Sequence, residues 1–368
     1  MNKKDIEKVV IIKCSSYEQS EIDKTIKRSL ELLNFDKNKY KKVFIKPNVV
    51  GSFKENQEAI ITNISLVKSL LKQFKKAVVG ESSFSDTEMH LKNTGYWKLK
   101  PLVLEKNQTV IVHDENAKIL KNFYISKPVK DSDLVISVSK LKTHVSTKMT
   151  GAIKNLYGCI PGHFKQMYHR EGVGEKNFCT LLVDVYQNIK PGLNIMDAVV
   201  AMEGEGPTAG KPKRVNLILA SRNAIALDIV ASKLMGYNPK KILTIREAVK
   251  RKLASYDVEI IGDFNYVPNL RFEKTSDFKR AIVKLLSIGK TKEKIMIDKT
   301  KCTKCGICAK HCPKQALTLS PYPIIDEKKC IRCFCCIEVC PQHALYLEEN
   351  LVTKFVGFLK KIRKYLSV

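Results

Sequence analysis

The chain has 368 residues, 44% of them hydrophobic, and its 65 Lys and Arg against 37 Asp and Glu give a formal net charge of +28. That apolar content supports a real core and excludes wholesale disorder; the length suggests two domains or one large one. No stretch reaches the ~18 uninterrupted apolar residues of a spanning helix, and residues 1–14 carry only a short apolar run without a cleavage-site pattern, so the expectation is a cytosolic protein.

Along the chain, short Val/Ile-rich runs alternate with helical periodicity. Strands are predicted at 9–13, 42–46, 77–80, 134–138, 194–201, 215–220 and 258–261, and helices at 19–33, 65–74, 179–189, 224–235 and 244–252. The strands are nearly continuous in apolar character, as strands buried on both faces are. The fold class predicted is α/β, a mostly parallel sheet with helices on both faces.

Ligands of such sheets bind outside the carboxyl ends of the strands. Candidate loops there begin at Pro47-Asn48, Glu81-Ser82, Lys140 and Glu203. The glycine-rich run from Glu203 to Gly210 is not a nucleotide loop, because Lys211-Pro212 leads into another strand and not into a helix N-terminus. The densest stretch of functional side chains, 140–162, holds Lys140, Lys142, His144, Lys148, Lys154 and Asn155. In so lysine-rich a chain it could equally be a solvated basic loop. If it is a site, Lys142, His144 and Lys154 would bind a carboxylate or phosphate, and Glu81, Glu203 or Asp228 would serve as acid, base or metal ligand. Asp228, alone on an otherwise apolar helix, is either a site residue or the buried partner of a lysine.

The segments Ile45-Lys-Pro-Asn48, Gly80-Glu-Ser82, Ser139-Lys-Leu-Lys-Thr-His144, Thr150-Gly-Ala-Ile-Lys-Asn-Leu-Tyr-Gly158 and Ala201-Met-Glu-Gly-Glu-Gly-Pro-Thr-Ala-Gly210 occur in that order. Together they resemble the family called domain of unknown function 362, over residues ~8–262. That resemblance implies a ferredoxin-like segment after the domain, but it carries no established catalytic residues, so the site residues above rest on their chemistry alone.

Nine of the 12 cysteines lie between Cys302 and Cys340. In a cytosolic protein such clustering argues for metal or redox chemistry over disulfides. The run Cys302-x2-Cys305-x2-Cys308-x3-Cys312-Pro313 recurs, shifted by 28, as Cys330-x2-Cys333-x2-Cys336-x3-Cys340-Pro341, and Asp298, Lys301, Ala316 and Leu317 map onto Asp326, Lys329, Ala344 and Leu345. Three thiolates two residues apart wrap three irons of a cubane, and in the bacterial two-cluster pattern the fourth cysteine of each run serves the other cluster. One cluster is therefore expected on Cys302, Cys305, Cys308 and Cys340, the other on Cys330, Cys333, Cys336 and Cys312. Structural zinc reads instead as paired Cys-x2-Cys or Cys/His sets. Residues ~295–349 resemble a bacterial-type ferredoxin, a small α+β domain with two 4Fe–4S clusters. Cys335 takes the place of Ile307 and reads as a small buried hydrophobe before an alternative ligand; Cys14, Cys159 and Cys179 are expected in the core.

The domain reading is an α/β domain at 1–262, a connector with a basic helix (277–287) at 263–294, the ferredoxin-like domain at 295–349 and a basic amphipathic helix at 350–368. That last segment has five Lys or Arg, no acidic residue and apolar positions at helical spacing. It suits either the inner face of an anionic membrane or docking on protein. Elsewhere the charge is spread, Lys outnumbers Arg 55 to 10, and no nucleic-acid motif is present, which argues against nucleic acid as partner.

The functional expectation is a ferredoxin-type electron-transfer protein, relaying single electrons between a redox partner protein or low-potential donor and the α/β domain. The alternative is an iron–sulfur oxidoreductase, reducing a small anionic substrate in a pocket lined by Lys142, His144, Lys154 and Glu203. A non-catalytic carrier would instead show an exposed cluster edge near Cys305 or Cys333, and a third reading makes the clusters structural or a redox sensor.

Overall fold

The alternation of short apolar runs and amphipathic helices folds into a nine-stranded sheet among the described residues, which in this computed structural model are 6–53, 55–83, 86–172, 174–273 and 294–347. The helices expected at 277–287 and 350–368 lie outside them. The strands of the α/β body are β1 (Glu7–Lys13), β2 (Val43–Pro47), β3 (Val78–Glu81), β4 (Leu102–Val103), β5 (Thr109–His113), β6 (Asn122–Ser126), β7 (Leu134–His144), β8 (Lys148–Thr150), β9 (Leu193–Glu203), β10 (Lys211–Ser221) and β11 (Val258–Gly262). The sheet order is β11-β1-β10-β9-β7-β2-β3-β4, with β8 folded back on the outer end of β7, while β5 and β6 form a separate hairpin. Along that order every pairing is parallel except those of β10, which runs antiparallel to both β1 and β9.

Side-chain alternation divides the core between the two faces of the sheet. Val9, Ile11, Leu217 and Leu219 enter one cluster with the helices Glu175–Ile189, Ala224–Leu234 and Leu243–Lys250. Val10, Ile12, Ile218 and Ala220 enter the other, with Gln19–Leu32 and Ile64–Gln73. Each helix presents what its pattern dictates. Gln19–Leu32 buries Ile22, Thr25, Ile26, Ser29 and Leu30, one stripe at helical spacing. Ala224–Leu234 is apolar nearly all round and almost wholly buried, and it starts on Asn223, whose side chain accepts from the Ile225 and Ala226 amides. The fold is thus the α/β class expected, with helices on both faces. No helix among the described residues is long and apolar enough to cross a membrane.

Two central strands run further than their apolar runs suggest. β7 is buried over all 11 residues, so Lys140, Lys142 and His144 belong to a strand and not to a loop. β9 extends alongside it to Glu203. The parallel strands β2, β3, β7 and β9 bring their carboxyl ends to one edge of the sheet, and the functional side chains collect there.

After the body, β12 (Ile295–Ile297) pairs with β15 (Leu345–Leu347), and β13 (Leu317–Leu319) with β14 (Pro323–Ile325), around the short helices Ile307–Lys310 and Cys335–Glu338. The 28-residue repeat holds atom by atom. The Asp298 amide donates to the Ala344 carbonyl and the Asp326 amide to the Ala316 carbonyl, both at 2.7 Å. Lys301 sits 3.6 Å from Asp298, and Lys329 3.7 Å from Asp326. Gln315 and His343 share a φ of 50°.

Candidate functional site

At the carboxyl edge of the sheet is a cavity whose wall includes Lys46, Asn48, Glu81, Lys142, Thr150, Lys154, Asn155, Lys165 and Thr208. Four amines and one carboxylate share it, three of the lysines and the glutamate being almost completely buried. Buried charges cost several kcal/mol each unless partnered, and the local partners are specific. Lys46 Nζ lies 2.6 Å from Glu81 Oε1 and donates to the Pro47 carbonyl at 2.6 Å. Glu81 also accepts the Val49 and Ser82 amides, each at 2.8 Å. Lys142 Nζ donates to the Ile60 carbonyl at 2.7 Å and to Asn48 Oδ1 at 3.3 Å. Lys165, on the helix Gly162–Glu171, reaches back to the Ser82 and Ser83 carbonyls.

Burial pushes the Glu81 carboxyl above its ordinary range, opposed by Lys46 and Lys165. Burial also lowers the Lys165 amine to about 8, although Glu81 and Glu105 pull the other way. Among the described wall residues four amines stand beside one carboxylate, a set suited to an anion. The burial-driven shifts of Glu81 and Lys165 mark the cavity as a candidate site.

Two close approaches keep the cavity in shape. A methyl at Gly158 would overlap the Lys46 amine and the Glu81 carboxylate, so only glycine admits that pair. Gly151 is bare for the same reason, because the Asp228 carboxylate fills the space its Cβ would take. Asp228 accepts the Ala152 and Ile153 amides at 2.6 and 3.1 Å, anchoring from behind the short helix Ala152–Asn155 that carries Lys154. Burial raises its carboxyl to about 7, against the lowering effect of the two amides.

Beneath the cavity a second buried network sets the chain near Lys142. Lys140 Nζ contacts Asp197 Oδ2 at 2.8 Å and the Tyr17 hydroxyl at 3.0 Å, with Lys140 and Asp197 fully buried. Tyr17 donates to Asp197 Oδ1 at 2.8 Å, and the Asn63 amide donates to Asp197 Oδ2 at 2.9 Å. Asn63 caps the helix Ile64–Gln73 and lies three residues past the Ile60 carbonyl that holds Lys142.

Of the five residues expected to be catalytic, Lys142 and Lys154 line this cavity and three do not. His144 Nδ1 accepts the Ser146 and Thr147 amides at the turn between β7 and β8. Glu203 pairs with Lys213 at 2.9 Å across the β9–β10 hairpin. Asp228 partners backbone amides and, among the described residues, neither lines the cavity nor pairs with a lysine. Lys46 and Lys165 were not anticipated. Lys46 sits in the quoted Ile45-Lys-Pro-Asn48 segment, where a charged residue closing an apolar strand was the available signal; Lys165 had none, because its helix was not predicted.

The cysteines sort into two groups. Cys302, Cys305, Cys308 and Cys340 line one space together with Gly306 and Pro323. Burial raises the Cys308 thiol to about 11, and like charge on Cys340, Cys305 and Cys302 adds to the push. Burial likewise raises Cys336, with Cys333, Cys330, Cys308 and Cys312 as the neighbours adding to it. Cys340 thus faces the first three thiols of the other run and Cys312 lies near Cys336, and the Ala316 and Ala344 amides donate to Cys312 Sγ and Cys340 Sγ, both at 3.2 Å. Four thiols about one space, with amide donors to sulfur, fit a cubane cluster. Cys335 is buried at the place of Ile307, and Cys14, Cys159 and Cys179 are buried in the body.

The cysteine-rich module packs directly over the cavity. Phe53, on the loop after β2, stacks on His343 at 5.4 Å between ring centroids, and Arg170 donates to the Pro313 carbonyl. Val145 joins the module's own apolar core. Val339, between Cys336 and Cys340, forms part of the cavity wall.

Among known proteins, a 4Fe-4S binding domain model matches residues 295–318, so the chain carries an iron–sulfur domain. It is 30% identical over 253 residues to the "Thylakoid-associated protein" of Synechocystis sp., covering 65% of this chain and 78% of that one. The lactate racemase apoprotein of Thermoanaerobacterium thermosaccharolyticum overlaps 61% of this chain at 16% identity and a TM-score of 0.37, and the chain spans 56% of that protein. A model described as domain of unknown function (DUF362) matches residues 43–233, more than half of the sequence, and the chain belongs to that family.

Proposed function

We propose that the protein is an iron–sulfur reductase, in which two 4Fe–4S clusters held by the two cysteine sets exchange single electrons with a small anionic molecule in the lysine-lined cavity. The observation that carries this reading is Val339. It lies on the turn bearing one thiol of each set, and it is also part of the cavity wall. When bound, such clusters supply electrons one at a time at low potential. The chain's own groups do the rest. Lys46, Lys142 and Lys154 bind and orient a carboxylate or phosphate, Glu81 limits the charge, and burial keeps bulk water out. A two-electron reduction draws two electrons, delivered singly from an external low-potential donor, and two protons. Lys165 is suited to give them one at a time, since its lowered affinity for the proton makes the ammonium a better acid than an ordinary lysine; it regains a proton from water after each transfer.

The test is anaerobic. Protein reduced with dithionite is offered a panel of small carboxylates and phosphate esters, and the cluster absorbance is followed. The reading expects a subset of anions to reoxidise the clusters and Lys142→Met to abolish that response. A panel in which no anion binds, or in which Lys142→Met changes nothing, overturns it. Anion affinity is expected to fall above pH ~8, by about tenfold per pH unit at most, as the Lys165 ammonium is lost. Isothermal calorimetry from pH 6.5 to 9.5 measures this, and a flat profile removes Lys165 from the site.

Exposure of Cys305 favours an accompanying role as an electron carrier to a partner protein. Residues 350–368 are proposed to rest on an anionic membrane, in keeping with the thylakoid association in the relative's name. Intact protein should co-sediment with phosphatidylglycerol vesicles and protein truncated after Glu349 should not; equal sedimentation would end that proposal.

A further inference from the structure

We propose that the face around Cys305 is a docking surface for an acidic, low-potential, one-electron carrier protein, the route by which electrons enter; this rests on the reading that the cysteine sets hold clusters.

Cys305 is exposed, while Cys308, Cys336 and Cys340 are buried. A cluster bound to the first set would therefore come nearest to solvent there, and electron transfer requires close approach. The surroundings of that thiol have the make-up of a protein interface. Leu319 is 41% exposed and lies against Gly306, giving an apolar contact beside Cys305. Tyr322 stands next to it with two ammonium groups over its ring, Lys304 at 4.9 Å and Lys299 at 5.6 Å from the centroid. An aromatic and aliphatic centre with a charged rim is the usual anatomy of a transient interface.

The sign of the rim identifies the partner. Between Asp298 and Asp326 the chain carries five lysines and no acidic residue. The half of the module around the exposed thiol is thus uniformly basic, and the whole chain adds its +28 to the field felt at a distance. A field of one sign around a small contact steers an oppositely charged partner and raises the encounter rate more than the final affinity, which suits a carrier that must leave after each electron. An acidic flavodoxin or ferredoxin matches this in charge, size and one-electron chemistry. A polyanion such as nucleic acid would match the charge but would gain nothing from the thiol or from Leu319. In the transfer itself one electron leaves the reduced carrier and one arrives on the oxidised cluster, with no bond made or broken.

The test uses full-length protein purified without oxygen, with an oxidised acidic flavodoxin as the probe, so that binding is read apart from turnover. Calorimetry at low salt should show binding that weakens with added salt and drops by roughly tenfold or more in Lys299→Glu/Lys304→Glu. Lys299→Glu alone should show a smaller loss in the same direction. Reversal of two lysines on the α/β body, Lys27→Glu/Lys240→Glu, should leave affinity nearly unchanged. The cluster absorbance of each variant, matched to wild type, shows that the module is intact. Equal affinity in the Lys299/Lys304 variant, equal loss on reversing the body lysines, or loss of heparin binding with flavodoxin binding kept would each overturn the docking surface. Absence of cluster absorbance in the wild-type protein would instead overturn the reading on which it rests.

Discussion

Asp197→Ala is expected to destabilise the α/β body by about 3–5 kcal/mol, because it leaves the Lys140 ammonium buried with no carboxylate beside it. In the native chain both groups are fully buried and 2.8 Å apart. Burial already lowers the Lys140 amine, and Asp197 is the largest influence holding its proton on. Removing the acid also deprives the Tyr17 hydroxyl and the Asn63 amide of their acceptor. In thermal unfolding followed by circular dichroism, the midpoint should fall by on the order of 10 °C. Adding Lys140→Met to Asp197→Ala should recover most of that loss, since an apolar pair of similar volume no longer buries a bare charge. It should not restore anion binding in full, because Asn63, close to the Ile60 carbonyl that holds Lys142, still lacks its anchor. A single variant within ~1 kcal/mol of wild type would show that water reaches the pair and that the network is not a support for the site.

The second large effect concerns the crossed thiols. With two clusters as proposed, Cys312→Ala is expected to remove that of the second set, on Cys330, Cys333 and Cys336, and to spare that of the first, although Cys312 follows Cys308 in the chain. Cys340→Ala should do the reverse. Iron analysis should fall from about eight to about four irons per chain in each variant, since each cubane holds four. The two residual clusters should then differ in their paramagnetic spectra in the reduced state. If Cys312→Ala instead destroys the cluster nearest Cys305, each run ligates its own cluster and the crossing is wrong. Both variants should keep the α/β body folded, because its two core clusters contain none of these cysteines.

What could be read in advance follows from the range of the interactions. Three thiols of each run are close in sequence, so the spacing of Cys302 to Cys312 and its repeat at Cys330 to Cys340 announced the iron–sulfur domain, and Cys340 lines one space with the first run. Strand positions were likewise legible where an apolar run is the whole signal, as in β1. The end of β7 was not. Lys140, Lys142 and His144 have the composition of a loop, and they lie in a buried strand because partners far away in the chain, Asp197, Asn48 and Ile60, take the hydrogen bonds of the two lysines, while the turn amides of Ser146 and Thr147 serve His144. Glu203 looked like part of a glycine-rich site loop, but the hairpin register sets it opposite Lys211, beside Lys213. Asp228 was a lone acid on an apolar helix, and no pattern says that two backbone amides would come to it. The cavity itself depends on Lys165 and Val339, from an unforeseen helix and from the cysteine module, so its full outline exists only in three dimensions.

The place of Val339 in the cavity wall also sets an order of events during synthesis. Roughly 130 residues separate Thr208, the last wall residue of the body, from Val339, which at ribosomal speeds of ~5–20 residues per second is on the order of 10 s. For that interval the cavity lined by Lys46, Lys142, Lys154 and Lys165 lacks the part of its wall that Val339 supplies. The wall is then completed in one late step, as the module packs over the body. Until that step the nascent site is a basic basin without its last wall residue, so the folding of the module completes a site that the body begins.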